Sequence, residues 1–327
     1  MPVVHPLLAA HEEQAARTLP TEVHAYFAGG SGSGVSAGEA AAAWGALRLR
    51  PRVLRDVADV DTSTTLLGTP LAAPVAVAPT AQHALAHPAA EPATAAGAAA
   101  AGSLLVLSTR SSKPLEQVPA GPWWFQSYLL RDRGLTRELA RRAAAAGAAA
   151  VVLTGDTPYV GRTSRAALAA RDLTLEQDPA ASLDDIGWLA EASGLPVLVK
   201  GVLRGDDARA CVGAGAAGLV VSNHGGRQLD RSVATARALP EVVSAVGGAV
   251  PVLVDGGVRS GTDVLCALAL GAAAVLVGRP VLWALTVDGA AGVQACLTAL
   301  RDDLAHVMAL AGAASVDDIG PDLLAEG

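Results

Sequence analysis

Short apolar runs that alternate with alanine-rich stretches recur along the chain from about residue 72. Eight of these runs are rich in valine, leucine or other apolar residues, and they cover Pro74–Ala78, Leu104–Ser108, Trp124–Tyr128, Ala150–Thr154, Pro196–Lys200, Gly218–Ser222, Pro251–Asp255 and Ala274–Gly278. Runs of this length are typical of strands that are buried on both faces of a parallel sheet. The stretches between them, such as Leu135–Ala146 and Gly261–Leu270, have the periodicity of helices. Eight strands alternating with helices predict an α/β fold, a (β/α)8 TIM barrel.

The segments outside this repeat are short. Residues from about His5 to Gly30 predict helices, and the glycine and serine cluster Gly29–Gly34 predicts a flexible loop. The gap from Gly155 to Leu195 is the one longer interval between strands, and it contains a polar insertion. We therefore expect one domain over residues 1–327, with an N-terminal extension at 1–70, the barrel at 71–300 and a C-terminal helical tail at 301–327.

Composition and charge exclude several classes of protein. The 327 residues are 51% hydrophobic and carry a net charge of -7, whereas a nucleic-acid partner would favour a basic face. Three cysteines lie far apart without a CxxC pair, which predicts reduced core residues in a cytoplasmic protein and no metal site. The first residues lack the basic region of a signal peptide, and the apolar run Val264–Gly278 is too short to span a bilayer.

Polar side chains follow nearly every predicted strand. They are Pro79-Thr80-Ala81, Ser108, Gln126, Tyr128, Thr154, Asp156, Lys200, Ser222 to Arg227, Asp255-Gly256-Gly257 and Gly278-Arg279. The carboxyl ends of the strands meet at one rim of a barrel, where catalytic groups sit. Any one of these residues alone is equally well explained as a strand-end cap, but the whole set predicts an active site.

The run Ser222-Asn-His-Gly-Gly-Arg-Gln-Leu-Asp230 follows the sixth predicted strand, and it places His224 three residues before Arg227. Imidazole is the usual proton acceptor near neutral pH, and guanidinium binds carboxylates through paired hydrogen bonds. We interpret the pair as a base acting on an anionic organic acid. The competing interpretation is a surface turn with incidental polar residues.

The last two strand ends favour a phosphate site, because glycines leave backbone N–H groups bare and Arg259 and Arg279 add positive charge. Lys200 is predicted to lie deep in the barrel, where an ammonium group needs an anionic partner. A reduced flavin ring is such a partner, and Ser108, Gln126 and Thr154 are candidates for hydrogen bonds to it.

The motifs also resemble those of a known family, the FMN-dependent α-hydroxy acid oxidases and dehydrogenases, which includes glycolate oxidase, lactate oxidase and mandelate dehydrogenase. The matching motifs are Pro51–Leu54, Ala78–Ala81, Leu107–Thr109, Phe125–Tyr128, Leu153–Pro158, Val199–Val202, Ser222–Asp230, Asp255–Thr262 and Gly278–Pro280. The resemblance implies FMN at the C-terminal mouth of the barrel, a homotetramer or octamer, and oxidation of a 2-hydroxy acid, such as an aromatic mandelate, to the 2-keto acid.

The resemblance also implies roles for individual residues. His224 would be the base, Asp156 its partner, and Lys200 would stabilise negative charge on the reduced flavin. Arg227 would bind the substrate carboxylate, and Tyr26 and Tyr128 would hydrogen-bond the substrate. The residues implied for FMN are Pro79, Thr80, Ala81, Ser108, Gln126, Thr154, Lys200, Ser222, Asp255, Gly256, Gly257, Arg259, Gly278 and Arg279.

Two departures from the family pattern concern the substrate. The family has a second carboxylate-binding arginine where this chain has Thr163, and Arg162 or Arg165 is the candidate replacement. The insertion after the fourth strand is shorter than the family's usual lid. The alternatives are therefore the same flavin chemistry on an atypical substrate, a non-redox FMN barrel of the isopentenyl-diphosphate isomerase type, and a barrel that binds FMN without turnover. The sequence leaves the electron acceptor open.

Overall fold

The computed structural model describes residues 4–118, 120–159 and 175–325. The candidate arginines Arg162 and Arg165, and Thr163 between them, lie outside the described residues. Their predicted roles in substrate binding stay predictions.

A short hairpin precedes the barrel. Its antiparallel strands are β1 (Thr64–Leu66) and β2 (Thr69–Leu71). Leu66 and Leu71 pack with side chains from the barrel interior, among them Leu104 and Leu253. The hairpin was not predicted from the sequence, because each of its strands has only three residues.

Eight parallel strands form a closed barrel, as the sequence predicts. They are β3 (Val75–Val77), β4 (Leu105–Ser108), β5 (Trp123–Ser127), β6 (Val151–Thr154), β7 (Val197–Val202), β8 (Gly218–Val221), β9 (Val252–Asp255) and β10 (Ala274–Val277). The barrel closes because β10 pairs with both β9 and β3. Each strand end lies within two residues of its predicted position.

Helices surround the barrel and bury their apolar faces against it. They are α4 (Ala90–Ala100), α5 (Arg133–Ala145), α6 (Asp184–Ser193), α7 (Gly205–Gly213), α8 (Thr235–Val246), α9 (Gly261–Ala269) and α10 (Arg279–Ala311). Between β4 and β5 the structure has a short 3-10 turn at Leu115–Gln117. One core layer lies between strands and helices, and a second fills the barrel interior with residues such as Trp124 and Leu276.

Helix α10 departs from the predicted boundaries because it continues across residue 300, where we placed the end of the barrel. Its course is interrupted at Asp288 and Gly289, which have non-helical backbone angles. By length and composition α10 resembles a membrane-spanning helix, but 61% of its apolar window is buried inside the protein. The apolar side chains of α10 therefore contribute to the core of the domain.

The N-terminal extension brings three helices to the C-terminal rim of the barrel: α1 (Pro6–Thr18), α2 (Thr21–Ala28) and α3 (Val35–Gly45). Helix α3 approaches two glycine turns so closely that no side chain would fit. A Cβ at Gly226 would lie 2.5 Å from the backbone nitrogen of Ala37, and a Cβ at Gly257 would lie 2.3 Å from the carbonyl oxygen of Ala40. These contacts join the extension to the strand ends that were predicted to carry the active site.

Candidate active site

A cavity opens at the C-terminal ends of the barrel strands and contains about 1210 Å³ of empty space, including its open mouth. Most of the residues predicted for the site line it: Tyr26, Pro79, Thr80, Ala81, Ser108, Gln126, Tyr128, Thr154, Lys200, His224, Arg227, Asp255, Gly256, Gly257, Arg259, Gly278 and Arg279. Ser222 and Asp156 are not among the lining residues. They bind Lys200 and His224, respectively, and so support side chains that face the cavity.

His224 and Asp156 form a hydrogen-bonded pair. The Nδ1 atom of His224 lies 3.1 Å from Oδ1 of Asp156, and the Thr157 hydroxyl donates to the same oxygen at 3.1 Å. Because an ionised carboxylate only accepts hydrogen bonds, Nδ1 carries a proton, and Nε2 is the ring nitrogen that can accept a second one. Gly201 permits this geometry, since a Cβ there would lie 2.5 Å from Cβ of Asp156.

The backbone fixes the position of His224 as well. Its φ angle of 57° lies in the left-handed region, and its N–H donates to the Ser222 hydroxyl at 3.0 Å. Such a conformation is costly for a residue with a side chain and often occurs at functional sites. Burial alone would raise the pKa of Asp156, but the neighbouring His224 and Lys200 hold that pKa below its ordinary value. The carboxylate is therefore ionised at neutral pH.

Lys200 is buried, with 4% of its surface exposed, at the end of β7. Its Nζ donates to the Ser222 hydroxyl at 2.6 Å and pairs with Oδ2 of Asp255 at 2.8 Å. The other oxygen of Asp255, Oδ1, is buried and has no hydrogen-bond partner within the described part of the chain. An ammonium with a third proton and an unsatisfied carboxylate oxygen thus lie beside the cavity, where a polar ligand can bind both.

Two arginines, Arg259 and Arg279, form a positive cluster on the cavity wall, and Arg227 lies near them. Burial lowers the pKa of Arg279 to about 10, and repulsion from Arg227 and Arg259 adds to the effect. Burial also lowers the pKa of Arg259. In the described residues neither Arg259 nor Arg279 has a carboxylate partner within salt-bridge distance. A cluster of this kind is stabilised by an anion with more than one negative charge, such as a phosphate.

Arg227 and Arg279 also bind the N-terminal extension. Nη1 of Arg227 donates to the carbonyl oxygens of Tyr26 at 2.6 Å and Gly29 at 3.1 Å, and its guanidinium lies 4.9 Å from the centre of the Tyr26 ring. Arg279 donates to the carbonyl oxygens of Phe27 and Gly29 at 3.0 and 2.9 Å. The carbonyl contacts that Arg227 makes to described residues all start from Nη1, so the backbone does not occupy its other nitrogens.

Tyr128 also lines the cavity, next to Arg110. Burial raises the pKa of Tyr128 to about 12. The positive charges of Arg110 and, more weakly, Arg227 oppose this rise. Its hydroxyl is therefore protonated at neutral pH and can donate a hydrogen bond. The roles predicted for Tyr26, Tyr128 and Arg227 in substrate binding fit these positions and stay predictions.

Sequence reasoning missed four polar lining residues: Arg110, Thr157, Gln177 and Gln228. Thr157 and Gln228 are joined by a hydrogen bond of 3.0 Å and lie within motifs that we quoted for other residues. Arg110 follows Ser108-Thr109 at the end of β4, which was the available signal for it. Gln177 lies in the insertion, and no motif pointed to it.

The residues present fit FMN. The arginine cluster suits its phosphate, and the unsatisfied Asp255 oxygen and the Lys200 ammonium suit polar groups of its ribityl chain or ring. Gly256 and Gly257 follow β9 with positive φ angles, so their backbone approaches the cavity without side chains.

Comparisons with known proteins agree with this geometry. Residues 15–176 and 163–326 match the family described as FMN-dependent dehydrogenase. The chain is 42% identical to an L-lactate oxidase from Nostoc sp., over 95% of this chain and 96% of the relative. It is 41% identical to a glycolate oxidase from Spinacia oleracea, over 94% and 92%. A solved structure of mandelate oxidase with (S)-4-hydroxymandelic acid matches with a TM-score of 0.92 at 42% identity, over 97% of this chain and 98% of that chain.

These relatives confirm the predicted barrel, the dependence on FMN and the resemblance drawn from the sequence motifs. They do not favour the isomerase alternative. The chain belongs to the FMN-dependent dehydrogenase family.

Proposed function

We propose that the protein is an FMN-dependent oxidoreductase that oxidises a 2-hydroxy acid to the corresponding 2-keto acid. The observation that carries this proposal is the His224–Asp156 pair, which leaves Nε2 of His224 as the proton-accepting nitrogen in a cavity that Lys200 and Arg227 also line. The L-lactate oxidase and glycolate oxidase among the relatives support the substrate class.

The chemistry divides between cofactor and protein. When bound, FMN would accept the two electrons and one of the two protons that the substrate loses on oxidation. His224 takes up a substrate proton at Nε2, and Asp156 stabilises the imidazolium through its hydrogen bond to Nδ1. Lys200 places a positive charge at the wall of the cavity, where it would offset negative charge on FMN once the cofactor is reduced.

Arg227 and Tyr128 bind the substrate in this proposal. The free nitrogens of Arg227 bind the carboxylate, and the protonated Tyr128 hydroxyl donates a hydrogen bond to a substrate oxygen. Tyr26 is fixed against Arg227 and lines the same region. An aromatic side chain, as in a mandelate, is the favoured substituent, because Tyr26, Phe27 and Leu282 add apolar surface to the cavity.

We also propose a cytoplasmic homo-oligomer, a tetramer or octamer. Its support is the exposed pair Val53 and Leu54, with 78% and 103% of their surfaces exposed, since adjacent large apolar side chains often mark an interface. The three buried free cysteines are compatible with a reducing compartment. Light scattering of the purified protein tests the oligomer, and cell fractionation tests the location.

The reaction is tested by an anaerobic titration. The visible spectrum of the purified protein is recorded, and glycolate, lactate, mandelate and 4-hydroxymandelate are added in turn. Bleaching of the flavin by one of them, most strongly by a mandelate, is the expected result. A yellow protein that none of them bleaches would contradict the proposal and favour an atypical substrate.

A further inference from the structure

Arg110 occupies a position on the cavity wall that the proposed chemistry does not use. It follows β4 and lines the cavity, and its guanidinium carbon lies 5.4 Å from the centre of the Tyr128 ring. Nη2 of Arg110 donates to the carbonyl oxygen of Leu175 at 3.1 Å, and this hydrogen bond also restrains the Arg110 side chain. The guanidinium is thereby fixed in orientation.

The Nε atom of Arg110 is buried and has no acceptor anywhere in residues 4–118, 120–159 and 175–325. A buried donor without a partner costs free energy, and a charged donor costs more than a neutral one. Arginine does not avoid this cost by losing its proton. An acceptor that reaches the guanidinium from the cavity, which Arg110 lines, would relieve this cost.

The charges around the cavity indicate which acceptor that is. The charged lining residues described are Arg110, Lys200, Asp255, Arg227, Arg259 and Arg279. Lys200 is paired with Asp255, and the phosphate of FMN would neutralise Arg259 and Arg279. Arg110 and Arg227 remain, and in the described residues neither forms a salt bridge with a carboxylate. Two fixed guanidinium groups on the walls of one site favour an anionic ligand with planar acceptors.

We propose that Arg110, which follows β4, binds a carboxylate of the substrate. The site then recognises the negative charge of the substrate through Arg110 as well as through Arg227. This inference rests on the proposed function, since it assigns the 2-hydroxy acid a second cationic contact. Two positions on the substrate can supply this carboxylate. It is either the group next to the reacting carbon, shared between Arg110 and Arg227, or a second carboxylate at the end of the substrate's side chain.

Product binding tests the proposal without turnover. The FMN-loaded enzyme is titrated with benzoylformate, a monocarboxylate, and with 2-oxoglutarate, a dicarboxylate, and each Kd is obtained from the change in flavin absorbance. Because Arg110→Met removes a charged hydrogen bond, it is expected to raise Kd by about 10- to 100-fold for at least one ligand. Arg110→Lys keeps the charge and should recover part of the affinity.

The two ligands distinguish the sources. An equal loss for both places Arg110 on the carboxylate beside the keto group, whereas a loss for 2-oxoglutarate alone places it on the distal carboxylate. Either outcome supports the proposal. FMN affinity should stay unchanged, and Arg131→Met is the matched control, since Arg131 is exposed and pairs with Glu176 beside the same wall.

Unchanged Kd values for both ligands in a folded, FMN-loaded Arg110→Met variant would overturn the inference and leave the proposed function intact. An equal loss for the uncharged amide of benzoylformate would also overturn it, because the effect would then not depend on a carboxylate. A wild-type enzyme whose flavin none of the four hydroxy acids bleaches would instead contradict the proposed function, and this inference with it.

Discussion

The two ends of the cavity are built differently. The phosphate side, which we define as residues 255–259 and 278–279, comes from two continuous segments that follow neighbouring strands. The substrate side, defined as Tyr26, Arg110, Tyr128 and Arg227, takes each residue from a different segment of the chain. The first arrangement depends on the local backbone, and the second depends on how distant segments pack.

The two sides of the cavity therefore differ in the substitutions that they tolerate. On the phosphate side the glycine at 257 lies against α3, and the carboxylate of Asp263 binds the backbone N–H of Arg259 at 2.8 Å, so most changes disturb the fold as well as the site. On the substrate side one side chain can change while the others keep their contacts. We expect specificity to be altered at the substrate side and cofactor affinity at the phosphate side.

The largest expected effect is a loss of catalytic rate without a loss of FMN binding. His224→Gln removes the proton acceptor, and kcat should fall by about 10²- to 10⁴-fold, the range for loss of general-base catalysis. FMN content should stay at the wild-type level, because the histidine lies on neither of the two phosphate-side segments. His306→Gln, at an exposed position on α10, is the control. A variant that keeps a kcat within threefold of wild type would remove His224 from the mechanism.

The second prediction concerns the phosphate side. Gly257 has a φ angle of 89°, and an added Cβ would lie 2.3 Å from the Ala40 carbonyl oxygen. Gly257→Ala should therefore displace α3 or the turn, with a loss of about 2–3 kcal/mol in the free energy of unfolding and weaker FMN binding.

Gly256→Ala is the matched control, because its φ of 88° is equally unfavourable while its nearest atom, Oγ1 of Thr235, is 3.2 Å away. Thermal unfolding and FMN fluorescence measure both variants. Equal losses in the two variants would show that backbone strain, and not the contact with α3, limits this position.

The same contrast explains what the sequence could predict. The strands were located within two residues, because fully buried strands are continuous apolar runs with clear ends. The phosphate side was predicted because its glycines and arginines are adjacent in sequence. The His224 block was identified for the same reason, and its partner Asp156 came from the family resemblance.

Residues of the substrate side were harder to predict. Arg110 was missed because its significance comes from Tyr128, which follows the next strand, and from Leu175 in the distant insertion. The carbonyl contacts of Arg227 with the N-terminal extension join residues 201 positions apart, and no local pattern encodes them. The predicted contribution of Arg162 stays a prediction.

A third prediction tests the substrate side with a smaller change. Tyr128→Phe removes one hydrogen bond to the substrate, which should lower kcat/KM by about tenfold with FMN binding unchanged. Steady-state kinetics with the substrate found in the anaerobic titration measures the effect. An unchanged kcat/KM would place the Tyr128 hydroxyl outside the substrate contacts.

The stability of the Tyr128→Phe variant should also depend less on pH than that of wild type. Since burial raises the folded pKa of Tyr128 to about 12, the stability from this group is fully present below its unfolded pKa of 10 and is lost as pH rises toward 12. Between pH 9 and pH 11 wild type should therefore lose about 1 kcal/mol more than Tyr128→Phe. Denaturant unfolding at pH 9 and pH 11 compares the two proteins, and parallel losses would contradict the burial of the hydroxyl.

The smallest predicted effect returns to the phosphate side. Asp263 caps α9 and accepts hydrogen bonds from the backbone N–H groups of Arg259 and Ser260 at 2.8 and 3.0 Å. Asp263→Ala should cost about 1 kcal/mol of stability, the usual contribution of a cap, and should also raise the Kd for FMN several-fold, because the Arg259 backbone loses its support.

Asp318→Ala removes a similar capping box at a 3-10 turn that is not part of the cavity lining, and it serves as the matched control. It should lose comparable stability and keep its FMN affinity. The Kd for a keto acid, measured with FMN at saturation, should be unchanged in both variants. If Asp263→Ala weakened keto-acid binding as strongly as FMN binding, the two sides of the cavity would not be independent, and specificity could not change at one without cost at the other.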